Sequence, residues 1–165
     1  GEYAPPGFAW FFQLVNIPMS SFTAGSARQA PLIWGEQKIA PNICYEDLFG
    51  EELLASLPAA TLLINLSNTA WFGDSLAQPQ HLQIAQMRAI ETGRTMLRAT
   101  NTGMTAMISP NGLVTAALPS FTVAARTGSA QGYSGLTPYA RWGNQLALVL
   151  AALACLLTLR RHTTP

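Results

Sequence analysis

The sequence predicts an α/β domain in which strands alternate with helices and a strand meander follows. Three observations support this prediction. A short apolar strand ends at Cys44 and a helical pattern follows it; residues 61–66 form an apolar run of strand length; and residues 96–118 hold strand-length segments separated by turns. Strands that alternate with helical patterns are typical of a partly parallel sheet with helices packed on it.

The stretch at residues 38–53 is expected to be a strand that turns into a helix. Asp47, Glu51 and Glu52 put acids in the first turns of that helix, where the helix macrodipole favours negative charge. Pro58 ends the helix.

The apolar run at residues 61–66 is typical of a strand covered on both faces. It leads into a polar and aromatic loop, residues 67–75, and such a loop at the end of a strand is a usual place for a site in layered α/β folds. Residues 80–94 then predict a helix with Gly93 near its C-cap.

The meander comprises strands at residues 96–100, 104–109 and 113–118. The turn at residues 101–103 joins the first two, and Pro110-Asn111-Gly112 predicts a hairpin between the last two.

The end of the chain is uncharged from residue 142 to residue 159, and Arg160 and Arg161 follow. A membrane span needs about 20 mostly apolar residues, so the pattern predicts a transmembrane helix over residues 139–160. The arginines then place residues 161–165 in the cytoplasm and residues 1–138 across the membrane. The alternative is a helix buried in a protein core.

The composition limits the classes of function. Charged residues make up 10% of the 165 residues and the net charge is +1, which gives no electrostatic case for nucleic acid as a partner. Cys44 and Cys155 lie in unlike contexts, so a disulfide is not expected, and no Cys/His cluster indicates a metal. The chain begins Gly1-Glu2-Tyr3 without methionine and is interpreted as the C-terminal portion of a longer protein.

Cys44 is the candidate nucleophile. At a strand-to-helix junction its sulfur lies near free backbone N–H groups, which favour a thiolate and can donate to an oxyanion. The alternative is a buried, inert cysteine.

Two mechanisms for activating Cys44 remain open at this point. A Cys–His pair has His81 and His162 as candidates, but His162 lies across the predicted membrane, and His81 is expected to be a partly exposed histidine at a helix start without a role. A glutamate base with a lysine is the other mechanism. Lys38 precedes Cys44 by six residues of strand, roughly 20 Å, so the lysine would come from outside this chain.

The sequence resembles the nitrilase (carbon–nitrogen hydrolase) superfamily. The resemblance rests on Asn42-Ile-Cys44-Tyr45-Glu46, on residues 66–75 with Trp71-Phe72-Gly73, on His81 and on residues 88–94. Within the superfamily it is similar to the apolipoprotein N-acyltransferase branch, as judged from residues 1–3, 18–22 and 135–141 and the apolar end of the chain.

This resemblance implies an αββα sandwich on the periplasmic side of the bacterial inner membrane. It implies that Cys44 takes a fatty acyl group from a phospholipid as a thioester and passes it to the N-terminal amine of a diacylglyceryl-cysteine apolipoprotein. The glutamate and lysine of the triad would lie upstream of this chain. The alternative is a membrane-tethered, nitrilase-like amidase acting on a soluble amide.

The resemblance also implies supporting residues: Glu2, Tyr45 and Glu46 beside the nucleophile, with the Tyr45 N–H as an oxyanion donor. Trp71 and Phe72 are the candidate lining of an acyl-chain path, and core packing is the alternative. No cofactor or metal is expected, and the protein is predicted to be a monomer.

Overall fold

The computed structural model describes residues 25–26 and 28–163, and the side chains as far as residue 159. A single sheet of six strands in the order β1-β2-β3-β4-β5-β6 organises this part of the chain. The strands are β1 Leu32–Trp34, β2 Gln37–Ile43, β3 Leu62–Ser67, β4 Thr95–Thr100, β5 Ala106–Ile108 and β6 Val114–Ala117.

The three central strands are parallel, and the outer pairs are antiparallel. A 3₁₀ turn at Cys44–Leu48, called the elbow below, and helix α1 (Gly50–Leu54) connect β2 to β3. Helix α2 (Ala77–Thr92) connects β3 to β4. The α/β class and the order of strands, helices and meander are therefore confirmed.

One face of the sheet packs against α2 and forms the core. Leu63, Met96 and Ile108 on neighbouring strands are fully buried, and they meet Ala85 and Ala89 of α2. The helix ends at Gly93, whose φ of 64° is the left-handed conformation that favours glycine at a C-cap. This confirms the predicted cap.

The opposite face of the sheet is apolar and partly open. Ile43 and Leu66 expose 42% and 48% of their surface at the carboxyl ends of β2 and β3. Leu62, at the start of β3, is 4% exposed. The prediction that residues 61–66 are covered on both faces is thus wrong for the end of the strand, where no described element packs on Leu66.

The end of the chain forms two helices, α3 (Pro138–Trp142) and α4 (Gln145–Thr163). Gly143, with φ 54° and ψ −137°, separates them and ends the first. Over the residues that the structure describes, no helix combines the length and the apolar character needed to cross a bilayer. The transmembrane helix predicted over residues 139–160 is therefore not confirmed, because the backbone breaks inside that range.

Candidate active site

Cys44 lies where β2 ends and the elbow begins. Its φ is 56°, a left-handed conformation that is uncommon for a residue with a side chain and is typical of strained functional sites. The sulfur is half-buried and lies 3.8 Å from the backbone carbonyl oxygen of Asn68, in the loop after β3. The nucleophile candidate and the predicted site loop thus meet at the carboxyl ends of adjacent parallel strands.

Side chains on both sides hold the elbow. The Glu46 carboxylate accepts a 2.6 Å hydrogen bond from the backbone N–H of Ile43. From α2, the Arg88 guanidinium donates to the carbonyl of Leu48 at 3.1 Å. Both ends of the turn are therefore anchored, and Glu46 contacts the backbone of the residue before Cys44.

A row of polar side chains lies beneath Cys44 on the face of the sheet that bears α2. Asn42, Asn65 and Arg98 occupy one register level on the three parallel strands. All three are at least 97% buried, and Asn65 joins them by donating to Asn42 Oδ1 at 2.6 Å and accepting from Arg98 Nη1 at 2.8 Å. Buried polar groups that are hydrogen-bonded in this way fix a local arrangement.

Asp47 is fully buried and bridges two elements. Its Oδ2 lies 2.9 Å from Nη1 of Arg98, and its Oδ1 lies 2.7 Å from Nε2 of His81 on α2. Asp47 was expected simply to favour a helix start; its carboxylate instead neutralises a buried arginine. His81 was expected to be partly exposed; it is 6% exposed and its described bond is to Asp47, not to Cys44.

Other candidate residues are apart from this cluster or outside the described residues. Lys38 lies on the exposed first half of β2. Glu2 lies outside the described residues, as does the side chain of His162. Cys44 and Cys155 are both free thiols. Within residues 25–26 and 28–159, no group of three or more His, Cys, Asp or Glu side chains could hold a metal ion.

The aromatic candidates lie around the elbow and the loop beyond Asn68. Trp71 and Phe72 form a second 3₁₀ turn, Ala70–Phe72, and expose 57% and 48% of their surface. The ring of Tyr45 meets Phe49 edge to face, with ring centroids 6.2 Å apart. Trp71 and Phe72 are therefore not core residues of the described part, which leaves them available to a ligand.

Asn65, Ser67 and Arg98 were missed as site residues from the sequence. Asn65 lies inside the run that was interpreted as apolar, and Arg98 lies inside the strand TMLRAT. A polar residue at a buried position of a strand needs a partner, and that requirement was the available signal.

Comparison with known proteins shows the family to which the sequence is similar. Residues 13–129 match the family model for carbon–nitrogen hydrolases. The chain is 53% identical over 158 residues to apolipoprotein N-acyltransferase of Nitrosomonas europaea, covering 94% of this chain and 32% of that protein. It is 52% identical over 166 residues to the enzyme of the same name from Ralstonia nicotianae, covering 98% and 32%. The chain therefore spans about a third of the length of these relatives.

Solved structures agree on the fold. An amidase of the nitrilase superfamily from Nesterenkonia AN1 aligns with a TM-score of 0.52 at 23% identity, over 61% of this chain and 40% of that chain. A carbon–nitrogen hydrolase from Helicobacter pylori G27 aligns with a TM-score of 0.53 at 19% identity, over 60% and 42%. These similarities establish a nitrilase-like α/β fold.

Proposed function

The chain belongs to the carbon–nitrogen hydrolase family, and on that premise we propose that it carries the nucleophile of an apolipoprotein N-acyltransferase. The full protein would move a fatty acyl group from a phospholipid to the N-terminal amine of a diacylglyceryl-cysteine apolipoprotein. The observation that carries the proposal is Cys44 itself. It sits in a left-handed elbow at the end of a parallel strand, in a chain about half identical to enzymes of that name.

The chemistry proceeds in two transfers. The Cys44 sulfur attacks the ester carbonyl of the phospholipid, the carbon–oxygen bond breaks, and a lysophospholipid leaves with the proton while a thioester remains. The free amine of the apolipoprotein then attacks the thioester carbonyl, an amide forms, and the thiol is restored. The lysine of this mechanism would come from residues outside this chain, because the one lysine of the chain, Lys38, lies on the exposed part of β2. The glutamate base would likewise come from outside this chain. Glu2, Tyr45 and Glu46 would support the nucleophile.

Exposed apolar side chains favour a lipid substrate over a soluble amide. Trp71 and Phe72 are half exposed in the same loop whose Asn68 contacts Cys44, and there they would receive an acyl chain. Helix α4 exposes leucines on all sides; Leu148, Leu153 and Leu157 are 66%, 51% and 62% exposed. A helix that is apolar all round belongs against lipid or inside a larger protein.

We further propose that the full protein is a monomer that works at the bacterial inner membrane, with Cys44 and the sheet that carries it on the periplasmic side. The cytoplasmic position of residues 161–165 stays a prediction. The open apolar face of the sheet favours the proposal that a second sheet from the rest of the protein packs on it, as in an αββα sandwich. Packing of that sheet would bury the exposed side chains of Ile43 and Leu66.

The experiment that tests the acyl transfer is intact-mass spectrometry of the full-length protein after incubation with phospholipid. The wild-type protein should gain one fatty acyl group that neutral hydroxylamine removes, and Cys44→Ala should gain none. Cys155→Ala is the matched control, because it removes the other free thiol, and it should acylate like wild type. A folded wild-type protein without an adduct would reject the acyl-carrier role and turn attention to soluble amides.

A further inference from the structure

A buried chain of charged and polar groups connects the ion pair Asp47–Arg98 to the peptide of Cys44. Arg98 Nη1 donates both to Asp47 Oδ2, at 2.9 Å, and to Asn65 Oδ1, at 2.8 Å. Asn65 Nδ2 in turn donates to the carbonyl oxygen of Cys44 at 3.0 Å. Three side chains from three elements therefore lie in series behind the candidate nucleophile.

Chemistry fixes the orientation of the Asn65 amide. A guanidinium can only donate hydrogen bonds, so the oxygen of Asn65 must face Arg98 and its nitrogen must face the Cys44 carbonyl. If Arg98 were lost, the oxygen of Asn65 would lose its charged donor and keep only the Ser67 hydroxyl, so the amide would be held less firmly against the Cys44 carbonyl. The hydroxyl of Ser67 lies 2.6 Å from Asn65 Oδ1 and 3.3 Å from the Cys44 carbonyl oxygen, and its one hydrogen can be donated to only one of them at a time. Through the shorter bond, Ser67 supports the orientation of the Asn65 amide.

The backbone that Asn65 holds is the strained backbone of Cys44. A left-handed, non-glycine residue is strained and persists only where its surroundings over-determine it. Cys44 has φ 56°, and the side chain that donates to its carbonyl, Asn65, comes from β3. Burying Asp47 and Arg98 is itself costly, and a purely structural purpose is poorly served by it, since apolar residues often pack as well as a buried ion pair.

We propose that Arg98, held by Asp47, is a positioning residue that acts through Asn65 to keep Cys44 in its left-handed conformation with the sulfur facing the site loop. The inference rests on the proposed function of Cys44 as nucleophile and deepens it.

The charge of Arg98 is consistent with this role. Burial lowers the pKa of the Arg98 guanidinium, and attraction to the Asp47 carboxylate and to the Cys44 thiolate opposes that change.

Arg94 provides a matched control, because it lies directly before β4, the strand that holds Arg98. It is 1% exposed, and burial lowers its pKa as it does for Arg98. Its guanidinium donates to the carbonyls of Ala60 and Gly135, at 2.7 and 2.8 Å, and to carbonyls of its own segment, and none of these bonds involves the elbow. Arg98→Lys and Arg94→Lys therefore each remove a buried guanidinium group. Only Arg98→Lys alters the hydrogen bonds that lead to the Cys44 carbonyl.

The test uses the full-length enzyme and three measurements. The first is thermal unfolding. The second is thioester formation at varied phospholipid concentration, from which the saturating rate (written kcat) and the half-saturating concentration (written KM) are obtained, and the third is the rate at which iodoacetamide labels Cys44. We expect both lysine variants to lose stability. Arg98→Lys should in addition lower kcat by about 10- to 100-fold with little change in KM, because a displacement near 1 Å has that effect on a reacting group. It should also slow labelling, whereas Arg94→Lys should keep wild-type kcat and labelling.

A second variant guards against misfolding. Asp47→Asn keeps the size of the side chain and removes the charge that orients Arg98, so it should give an intermediate loss of kcat. In an Asn65→Ala background, Arg98→Lys should add little to the loss, because the two residues act in series.

Equal kcat and labelling rates in Arg98→Lys and Arg94→Lys would overturn the positioning role, even if wild type forms a thioester. A wild type that forms no thioester would overturn the proposed acyl transfer instead. In that case slower labelling in Arg98→Lys alone still supports the positioning role, and unchanged labelling rejects it.

Discussion

The carboxylate of Glu46 lies 2.6 Å from the backbone nitrogen of Ile43, and this bond closes the elbow on the side of the strand. The bond joins a charged acceptor to the peptide directly before the candidate nucleophile. Hydrogen bonds to charged groups contribute about 1.5–3 kcal/mol when a buried or partly buried partner would be left unpaired.

The bond from Ile43 to Glu46 is exposed to solvent, so we expect Glu46→Ala to lower the free energy of unfolding by only about 0.5–1.5 kcal/mol and to reduce thioester formation. Glu46→Gln keeps an acceptor oxygen at the same place and should lose less than half as much. Urea unfolding and the acylation rate of the full-length protein measure the two effects. Equal losses in the alanine and glutamine variants would contradict the importance of the acceptor.

Gly50 is the point where α1, α2 and α3 meet. A Cβ atom there would lie 2.7 Å from both Arg88 Nη1 and Glu91 Oε2, and 2.8 Å from the Tyr139 hydroxyl. The three crowding atoms are the ends of side chains that can shift, so we expect Gly50→Ala to destabilise the protein by about 1 kcal/mol, the low end of the range for overpacking, as measured by thermal unfolding.

The crowding at Gly50 also defines a rescue. Tyr139→Phe removes one of the three crowding atoms, so the double variant should recover part of the stability that Gly50→Ala loses. If Tyr139→Phe adds its own loss to that of Gly50→Ala instead, the packing at this joint is not the cause.

Glu91 predicts a pH dependence of stability. Burial raises the pKa of the Glu91 carboxyl above its ordinary value of 4.5, and the neighbouring Arg88 guanidinium opposes the rise. The folded state then binds the proton more tightly than the unfolded state. Its contribution to stability is complete below the ordinary pKa and falls as pH rises through the raised pKa.

Glu91→Gln should remove this fall, so its free energy of unfolding should vary less with pH than that of wild type. Urea unfolding of both proteins from below the ordinary carboxyl pKa to neutrality measures the difference. Glu52→Gln is the control, because Glu52 is an exposed acid on α1 and should leave the wild-type slope in place. A parallel pH profile for Glu91→Gln would show that the group is not responsible.

Glu51 of α1 makes a hydrogen bond to the backbone just before α4. Its Oε1 accepts a 2.9 Å hydrogen bond from the backbone N–H of Asn144, at the break between α3 and α4. Glu51→Ala should therefore speed amide hydrogen exchange at Asn144 and at the first turn of α4 in the full-length protein. Glu52→Ala removes a neighbouring exposed acid, and exchange there should match wild type; similar acceleration in both variants would refute a specific tie.

The order of elements is predictable from this sequence because it depends on local patterns. Strand-length apolar runs, the helical period of residues 80–94 and the hairpin residues at 110–112 each determine a local conformation. The same holds for Cys44 and for the loop with Asn68, since the carboxyl ends of parallel strands lie together.

The support of the site could not be read in the same way, because it depends on pairing. Asp47 and Arg98 are 51 residues apart, and only the register of β3 with β4 brings Asn65 between Arg98 and Cys44. The break at Gly143 was missed for another reason. An average of hydropathy describes side chains, whereas the end of α3 is a property of the backbone at one residue.

The open face of the sheet determines what experiments on residues 1–165 alone would detect. A substitution at Leu63 or Met96 removes contacts that this chain makes with itself, and its cost would be visible at once. A substitution at Leu66 or Ile43 alters a surface whose partners are not among the described residues, so a stability screen of the segment would score it as neutral. Such a screen would separate the strand residues by the side of the sheet they face, and substitutions on the open side would be scored as harmless although they alter a surface that the rest of the protein is expected to cover.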